Sequence, residues 1–221
     1  MFFFKKNQKK LQKNLFFEKF VLYLQRKIND RMEVKSLILL FIVVIFSLCS
    51  YQNSKKRSEI EKVLSEWTGK EILFPEDVPC YVAGKDTLPE LCAEGYRKDF
   101  KILMYVDSAG CSSCRLKLFE WNQLIDEADS LFHGKIGFLL FFQPKTAKEM
   151  AYLFALNRFD HPVLMDINNK INRLNSFPKA MEYQCFLLDG DNKVLMVGNP
   201  ILNPKIWDLY KAKIKDKMLK G

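Results

Sequence analysis

Apolar residues recur along this chain at two spacings, helical and alternating or unbroken, and the changes between them mark out its elements. Ile60, Val63, Leu64 and Trp67 share one helical face. Ser58 and Glu61 make a capping box around the start of that stripe, and Gly69 stands just past its end, so a short amphipathic helix is predicted there. Ile72 to Phe74 reads as a short strand, and Pro75 to Asp99 as polar and irregular. Ile102 to Val106 is predicted as a strand and Cys114 to Ala128 as a helix. Ile136 to Phe142 is an unbroken apolar run, suited to the middle of a sheet covered on both faces. Thr146 and Glu149 box a further helix through about Asn157, Pro162 to Met165 forms a strand, and Asn169 to Leu174 a short helix. Tyr183 to Leu188 and Lys193 to Val197 flank Asp189-Gly190-Asp191-Asn192, a hairpin turn. Asn203 as N-cap with Pro204 at the first helical position opens the last helix, which bears Ile206, Leu209, Tyr210 and Ile214. The order β-α-β-α-β-α-β-β-α predicts an α/β domain with a mixed central sheet and helices on both faces.

Ahead of that domain the pattern is different. Ser36 to Cys49, SLILLFIVVIFSLC, is an uncharged run with Lys35 before it and the polar stretch Ser50 to Arg57 after it. A spanning helix wants roughly 18 to 20 such residues and a secretory signal about 7 to 15, so the run has the length of a signal. Met32-Glu33-Val34-Lys35 makes an ordinary n-region, and translation starting at Met32 would place residues 1–31 upstream of the protein. The competing reading is a true cytoplasmic extension in which Phe17, Phe20, Val21, Leu24 and Ile28 form an apolar stripe within a basic segment suited to anionic lipid. Cys49 closes the run where a lipoprotein signal places its acylated cysteine, although Leu48 stands where a lipobox carries a small residue; an uncleaved anchor is the alternative. On either reading the basic flank faces the cytoplasm and the body lies outside it, on the periplasmic side of a membrane in the cell envelope. The organisation expected is therefore a basic segment over 1–35, a signal or anchor over 36–49, a polar tether over 50–57 and one folded domain over 58–221.

Charge supports this division. Of 35 Lys+Arg and 26 Asp+Glu in 221 residues, the first 35 residues hold 10 basic and 3 acidic side chains, a net of +7, and the rest carries +2. A nucleic-acid binder needs its basic surface on the folded body, so no nucleic-acid partner is expected. At 48% apolar and 14% aromatic residues the chain is too hydrophobic to be disordered as a whole.

One motif carries chemistry. Cys111-Ser112-Ser113-Cys114 follows the strand that ends near Asp107 and opens a predicted helix. The spacing lets two thiols close a small ring, and a helix N-terminus offers unpaired N–H groups and partial positive charge to the first sulfur. Both favour a thiolate at Cys111. Arg115 adds to the effect, Asp107 subtracts if it points inward, and Cys114 would be the resolving thiol. Half a zinc site and a structural disulfide are the alternatives, but no second C-x-x-C or His pair completes a tetrahedron, so neither metal nor cofactor is expected.

With these residues in place the sequence resembles the thioredoxin-like superfamily, and within it the membrane-tethered TlpA/ResA-type thiol-disulfide oxidoreductases of the bacterial envelope. The resemblance runs from about Lys101 to Asp208. It rests on KILMYVDSAGCSSC, on Phe159-Asp160-His161-Pro162-Val163-Leu164-Met165-Asp166, similar to the family's FPVLxD stretch, and on FLLDGDNKVLMVG at 186–198, similar to its final hairpin. It implies a thioredoxin-like fold with Cys111 as nucleophile and Cys114 as resolver, exchanging disulfides with extracytoplasmic proteins, as a reductant fed by a membrane electron donor. The sequence departs from the family at Gly110, where an aromatic residue is usual, at Tyr105, where thioredoxins proper bury an acid, and at Tyr183, which stands where the family's cis-proline falls. The runner-up function is a non-enzymatic binding module with a structural disulfide; a metal carrier using Cys111, Cys114 and Cys185 is a third.

The remaining candidates have plainer readings. Cys80 and Cys92 bracket an irregular segment, and outside the cytoplasm a disulfide between them is expected. Cys185 lies in the strand predicted to run beside the C-S-S-C segment, as a third thiol or as a buried small hydrophobe. His133 follows Phe132 at a predicted helix end and reads as a charge near the C-terminal carbonyls, and His161, before Pro162 in a loop, has no acid or serine arrangement pointing to it.

Overall fold

The computed structural model describes residues 18–27, 39, 41–42, 44–45, 51–52, 54–82, 89–107, 116–144 and 146–220. The chain divides into two compact units, 1–59 and 60–221. In the first, residues 18–27 are helical. Cys49 and most of the apolar run lie outside the described residues, and among the described residues no helix is long and apolar enough to cross a membrane.

The second unit is built on β2 (Phe100–Val106) and β3 (Ile136–Phe142), paired in parallel along their whole length. Around them the chain adds α1 (helical through 67), β1 (Cys80–Tyr81), α2 (Pro89–Tyr96), α3 (Leu118–Phe132), α4 (Ala147–Leu156), β4 (Val163–Met165), α5 (Lys170–Asn175), β5 (Cys185–Leu188), β6 (Val194–Val197) and α6 (Pro204–Lys220). The six strands form one sheet in the order β1-β4-β3-β2-β5-β6. β2, β3 and β4 are parallel; β5 and β6 are antiparallel to their neighbours, as is β1 against β4. This is the mixed α/β sheet read from the sequence, with helices on both faces.

Alternation along β2 explains the two layers, because successive side chains point to opposite faces. Ile102, Met104 and Val106 pack with Trp121, Ile125 and Ala128 of α3, Phe154 of α4 and Tyr210 and Ile214 of α6. Leu103 and Tyr105 pack on the other face with Trp67 of α1, Ile171 of α5, Phe177 and Phe186. Lys101 also sits on β2, fully buried, and donates through Nζ to the carbonyls of Asp189 at 3.1 Å and Gly190 at 2.7 Å, closing the hairpin turn onto the foot of the strand. Thr146 caps α4, its hydroxyl accepting from the Glu149 N–H at 3.3 Å, and Asn203 accepts from the Lys205 N–H at 3.2 Å at the head of α6.

The structure corrects the sequence reading at five places. α1 is already helical at residue 54, so Ser58 lies inside it and is no N-cap. Residues 72–74 form no strand: the Leu73 N–H and C=O are both taken by the Asn175 carboxamide, at 2.9 and 2.8 Å, and a side chain there replaces a strand partner. The stretch read as irregular over 75–99 contains β1 and α2; a proline opens α2 where a missing N–H costs nothing, a signal that Gly95 and the helix's brevity obscured. The helix expected to run on from Cys114 is interrupted at Lys117, which is left-handed with φ 48° and precedes α3. Finally, β5 begins at Cys185 and not at Tyr183, because Met181–Tyr183 coil into one 3-10 turn.

Candidate active site around the C-terminal end of β2

Strand β2 is where the sheet changes direction of growth: the chain passes to β3 on one side, while β5 lies on the other. In open α/β sheets ligands collect beyond the carboxyl ends of the strands at such a switch point. In sequence, the C-S-S-C segment follows this end of β2. Cys111, Cys114 and Arg115 themselves lie outside the described residues, as does Cys49. Among the described residues, a small cavity of about 10 Å³ lies at this end of β2. Its floor is Met104 to Val106 of β2, one wall is Leu116, Lys117 and Trp121, and the facing walls are Met181 with Gln184 and Asn199 with Ile201 and Leu202.

The facing walls are held by backbone and carboxamide bonds. Gln184 is buried; its carbonyl accepts the Tyr105 N–H at 2.9 Å, and its Nε2 donates to the Pro178 carbonyl at 2.9 Å. Asn199 donates its N–H to the Glu182 carbonyl at 3.0 Å, and its Oδ1 accepts from the Ile201 N–H at 2.9 Å. Sequence reasoning missed both residues. The signal for Gln184 was a lone polar residue at the mouth of an apolar strand.

Tyr105 is buried on the opposite side of β2. Its hydroxyl donates to Asn169 Oδ1 at 2.9 Å and lies 3.4 Å from Gln143 Oε1, which links the carboxyl ends of β2 and β3 to the turn before α5. Asp166, in the stretch that carried the family resemblance, accepts from the N–H groups of Lys170 and Ile171 at 2.8 Å each and caps α5. Tyr183 is half-buried in the 3-10 turn and packs against the aromatic side of the core. Among the described residues no peptide bond is cis.

The other cysteines fall on separate faces. Cys185 is fully buried, opposite Met104 on β2, on the face covered by α3 and α6. Burial pushes its thiol up to about 12, against the opposing effect of the Tyr210 hydroxyl beside it. It packs within the hydrophobic cluster on that face. Cys80 and Cys92 are disulfide-bonded with Cα atoms 5.9 Å apart, on the face covered by α1 and α5. The bond ties α2 to edge strand β1. His161 stacks edge-on against Phe159, with ring centres 5.3 Å apart. Among the described residues no group of three or more His, Cys, Asp or Glu side chains could hold a metal ion.

No family model and no curated protein sequence matches the chain. Among solved structures, it is similar to peroxiredoxin Q of Xanthomonas campestris, with 16% identity over 62% of this chain and 90% of that one and a TM-score of 0.43. It is similar to a peroxidoxin of Mycobacterium tuberculosis, with 15% identity over 68% of this chain and 97% of that one and a TM-score of 0.46. It is also similar to the thioredoxin domain of a thiol-disulfide oxidoreductase from Bacteroides vulgatus, with 11% identity over 65% of this chain and 97% of that one and a TM-score of 0.41. These likenesses show no family for the chain, the TlpA/ResA type included.

Proposed function

We propose that this protein is a membrane-tethered thiol-disulfide oxidoreductase of the TlpA/ResA type that reduces disulfides in extracytoplasmic proteins. The observation that supports the reading is that Cys111-Ser112-Ser113-Cys114 follows in sequence the strand at which the sheet switches direction. Cys111 as thiolate attacks one sulfur of the client disulfide, forming a mixed disulfide and expelling the other client sulfur as thiolate. Cys114 then attacks the Cys111 sulfur, the second client thiol leaves, and the Cys111–Cys114 pair is oxidised. Two electrons pass to the client, and a membrane dithiol donor returns the pair to its reduced form. Arg115 favours the Cys111 thiolate. The apolar run before Cys49 supports an envelope location, with lipid attachment at Cys49 as the tether, and a disulfide between Cys80 and Cys92 suits an oxidising compartment.

Trapping tests the reaction. Cys114→Ser is expected to accumulate mixed disulfides with envelope proteins, whereas Cys111→Ser accumulates none, and Cys111 in the reduced protein is expected to titrate below the free value of about 8.5. No trapped partner, no reduction of insulin and a Cys111 titrating at or above that value would instead mark a binding module with a structural disulfide. Palmitate labelling that survives Cys49→Ala would exclude the lipid tether.

A further inference from the structure

We propose that the last two turns of α6, Lys213 to Lys220, form a contact for anionic phospholipid headgroups that holds the amino end of β2 towards the membrane. The inference rests on the membrane tether. Helix α6 carries six lysines against two aspartates, a net of +4. The chain beyond residue 35 carries +2 in all, so everything in that stretch outside α6 sums to −2. Its positive excess is gathered on one helix.

Position gives this charge a direction. β6 runs the same way as β2, since both are antiparallel to β5, and α6 follows its carboxyl end. The helix therefore starts beside the carboxyl end of β2 and runs back along the sheet. Lys211 reaches Glu127, in the second half of α3, at 3.1 Å. α3 leads on to Lys135, whose carbonyl accepts the Phe100 N–H at the amino end of β2 at 3.3 Å. Ile214 is the last buried residue of α6, and residues 215–220 are all exposed, so the helix outruns its packing at that end. The C-S-S-C segment follows the other end of β2 in sequence, and a membrane contact here leaves that end towards extracytoplasmic proteins.

Charge and exposure in these turns fit a lipid surface. Lys220 is paired with Asp216 at 2.6 Å, and Lys211 with Glu127 and Asp208 at 3.1 and 3.2 Å. Lys213, Lys215 and Lys217 make no ion pair among the described residues. Leu219, 88% exposed, and Met218 stand among them. The negative end of the helix dipole accounts for Lys217 and Lys220 in the last turn, but it does not reach Lys213 or explain an exposed leucine. Lysine is a flexible point charge, suited to a headgroup layer of no fixed geometry, and an apolar side chain beside it enters the headgroup boundary. Anchoring through residues 36–49 keeps this surface close to the bilayer, where individually weak contacts suffice.

Hydrogen exchange of the full chain, reconstituted in vesicles of phosphatidylcholine alone or mixed with phosphatidylglycerol, tests the contact. The amides at 213–220 are expected to exchange about threefold more slowly where phosphatidylglycerol is present, and high salt is expected to remove the difference. Combining Lys213→Gln, Lys215→Gln and Lys217→Gln is expected to remove it as well. Reading these amides alone separates the contact from any lipid binding by residues 1–35. Equal exchange in the two vesicles, or slowing that survives the triple substitution, overturns the proposal. Soluble polyglutamate that slows the same amides as much as phosphatidylglycerol would assign the surface to an acidic protein and overturn the lipid contact. Flotation with phosphatidylcholine vesicles reads the anchor by itself. A chain that stays behind refutes the tether, and the same exchange comparison, with vesicles added to the chain, then decides the lipid contact.

Discussion

Gly95 of α2 and Gly137 of β3 meet backbone to backbone. A Cβ placed on Gly137 would come within 2.9 Å of the Gly95 carbonyl carbon and 3.0 Å of its Cα, and closer still to the carbonyl oxygen. β4 pairs with the last two residues of β3, so among the described residues the amino-terminal half of that strand has no strand neighbour on this side, and α2 lies against it. Covering an open strand edge with a helix is a common protection against edge-to-edge pairing.

The close approach makes the two glycines unequal. Gly137→Ala pushes into backbone that has no side-chain freedom to yield, and is expected to cost about 1 to 3 kcal/mol. At Gly95 an added Cβ would meet the flexible end of Leu139 at 3.1 Å, and alanine also favours the helix, so Gly95→Ala is expected to be near neutral. Urea denaturation of both variants checks the ordering; a Gly137→Ala as stable as wild type would contradict the packing.

The Cys80–Cys92 bond spans a separation of 12 residues, and on the loop-closure account it stabilises the folded chain by about 3 kcal/mol. Reduction, or Cys92→Ser, is expected to lower the denaturation midpoint accordingly and to speed hydrogen exchange in α2 before β2 or β3. Peptide mapping of unreduced protein reports the linkage directly, and a Cys80 that is alkylated in the native oxidised state would refute it.

Cys185 and its pH dependence provide a further check. The folded thiol is raised from 9.0 to about 12 by burial, so between those values the native state holds a proton that the unfolded state releases. Its contribution to stability is complete below pH 9.0 and is lost as pH rises towards about 12. Iodoacetamide at pH 8 is expected to leave Cys185 unmodified until the protein unfolds. Rapid labelling of native protein at this position would show an open route to the sulfur.

Asp166 offers a test at the turn below the site. Asp166→Ala removes the acceptor of two 2.8 Å bonds at the head of α5, and is expected to cost about 2 kcal/mol. Asp166→Asn keeps one accepting oxygen and should recover part of that loss. Thermal unfolding monitored by circular dichroism distinguishes the two.

Elements with strong periodicity were legible in the chain by itself. The unbroken run Ile136 to Phe142 became β3 with those bounds, Thr146 capped its helix, and Asp189 to Asn192 turned the hairpin. In each case the governing forces act between residues a few positions apart: burial of a continuous apolar stretch, one side chain capping its own helix, one tight turn. Strand, then C-S-S-C, was likewise a local pattern, which is why the candidate chemistry could be read before any fold was known.

Tertiary contacts decided the rest, because the bonds involved join residues far apart in sequence. Leu73 could not form a strand once Asn175, 102 positions away, supplied both its backbone partners. Cys185 became a fully buried thiol because α6 brought Tyr210 over it. Gln184 looked like an interruption in an apolar strand until the fold placed Pro178, Met181 and Tyr105 around it. Sequence patterns record which residues prefer to be buried, whereas only the folded chain determines which polar groups satisfy one another once they are.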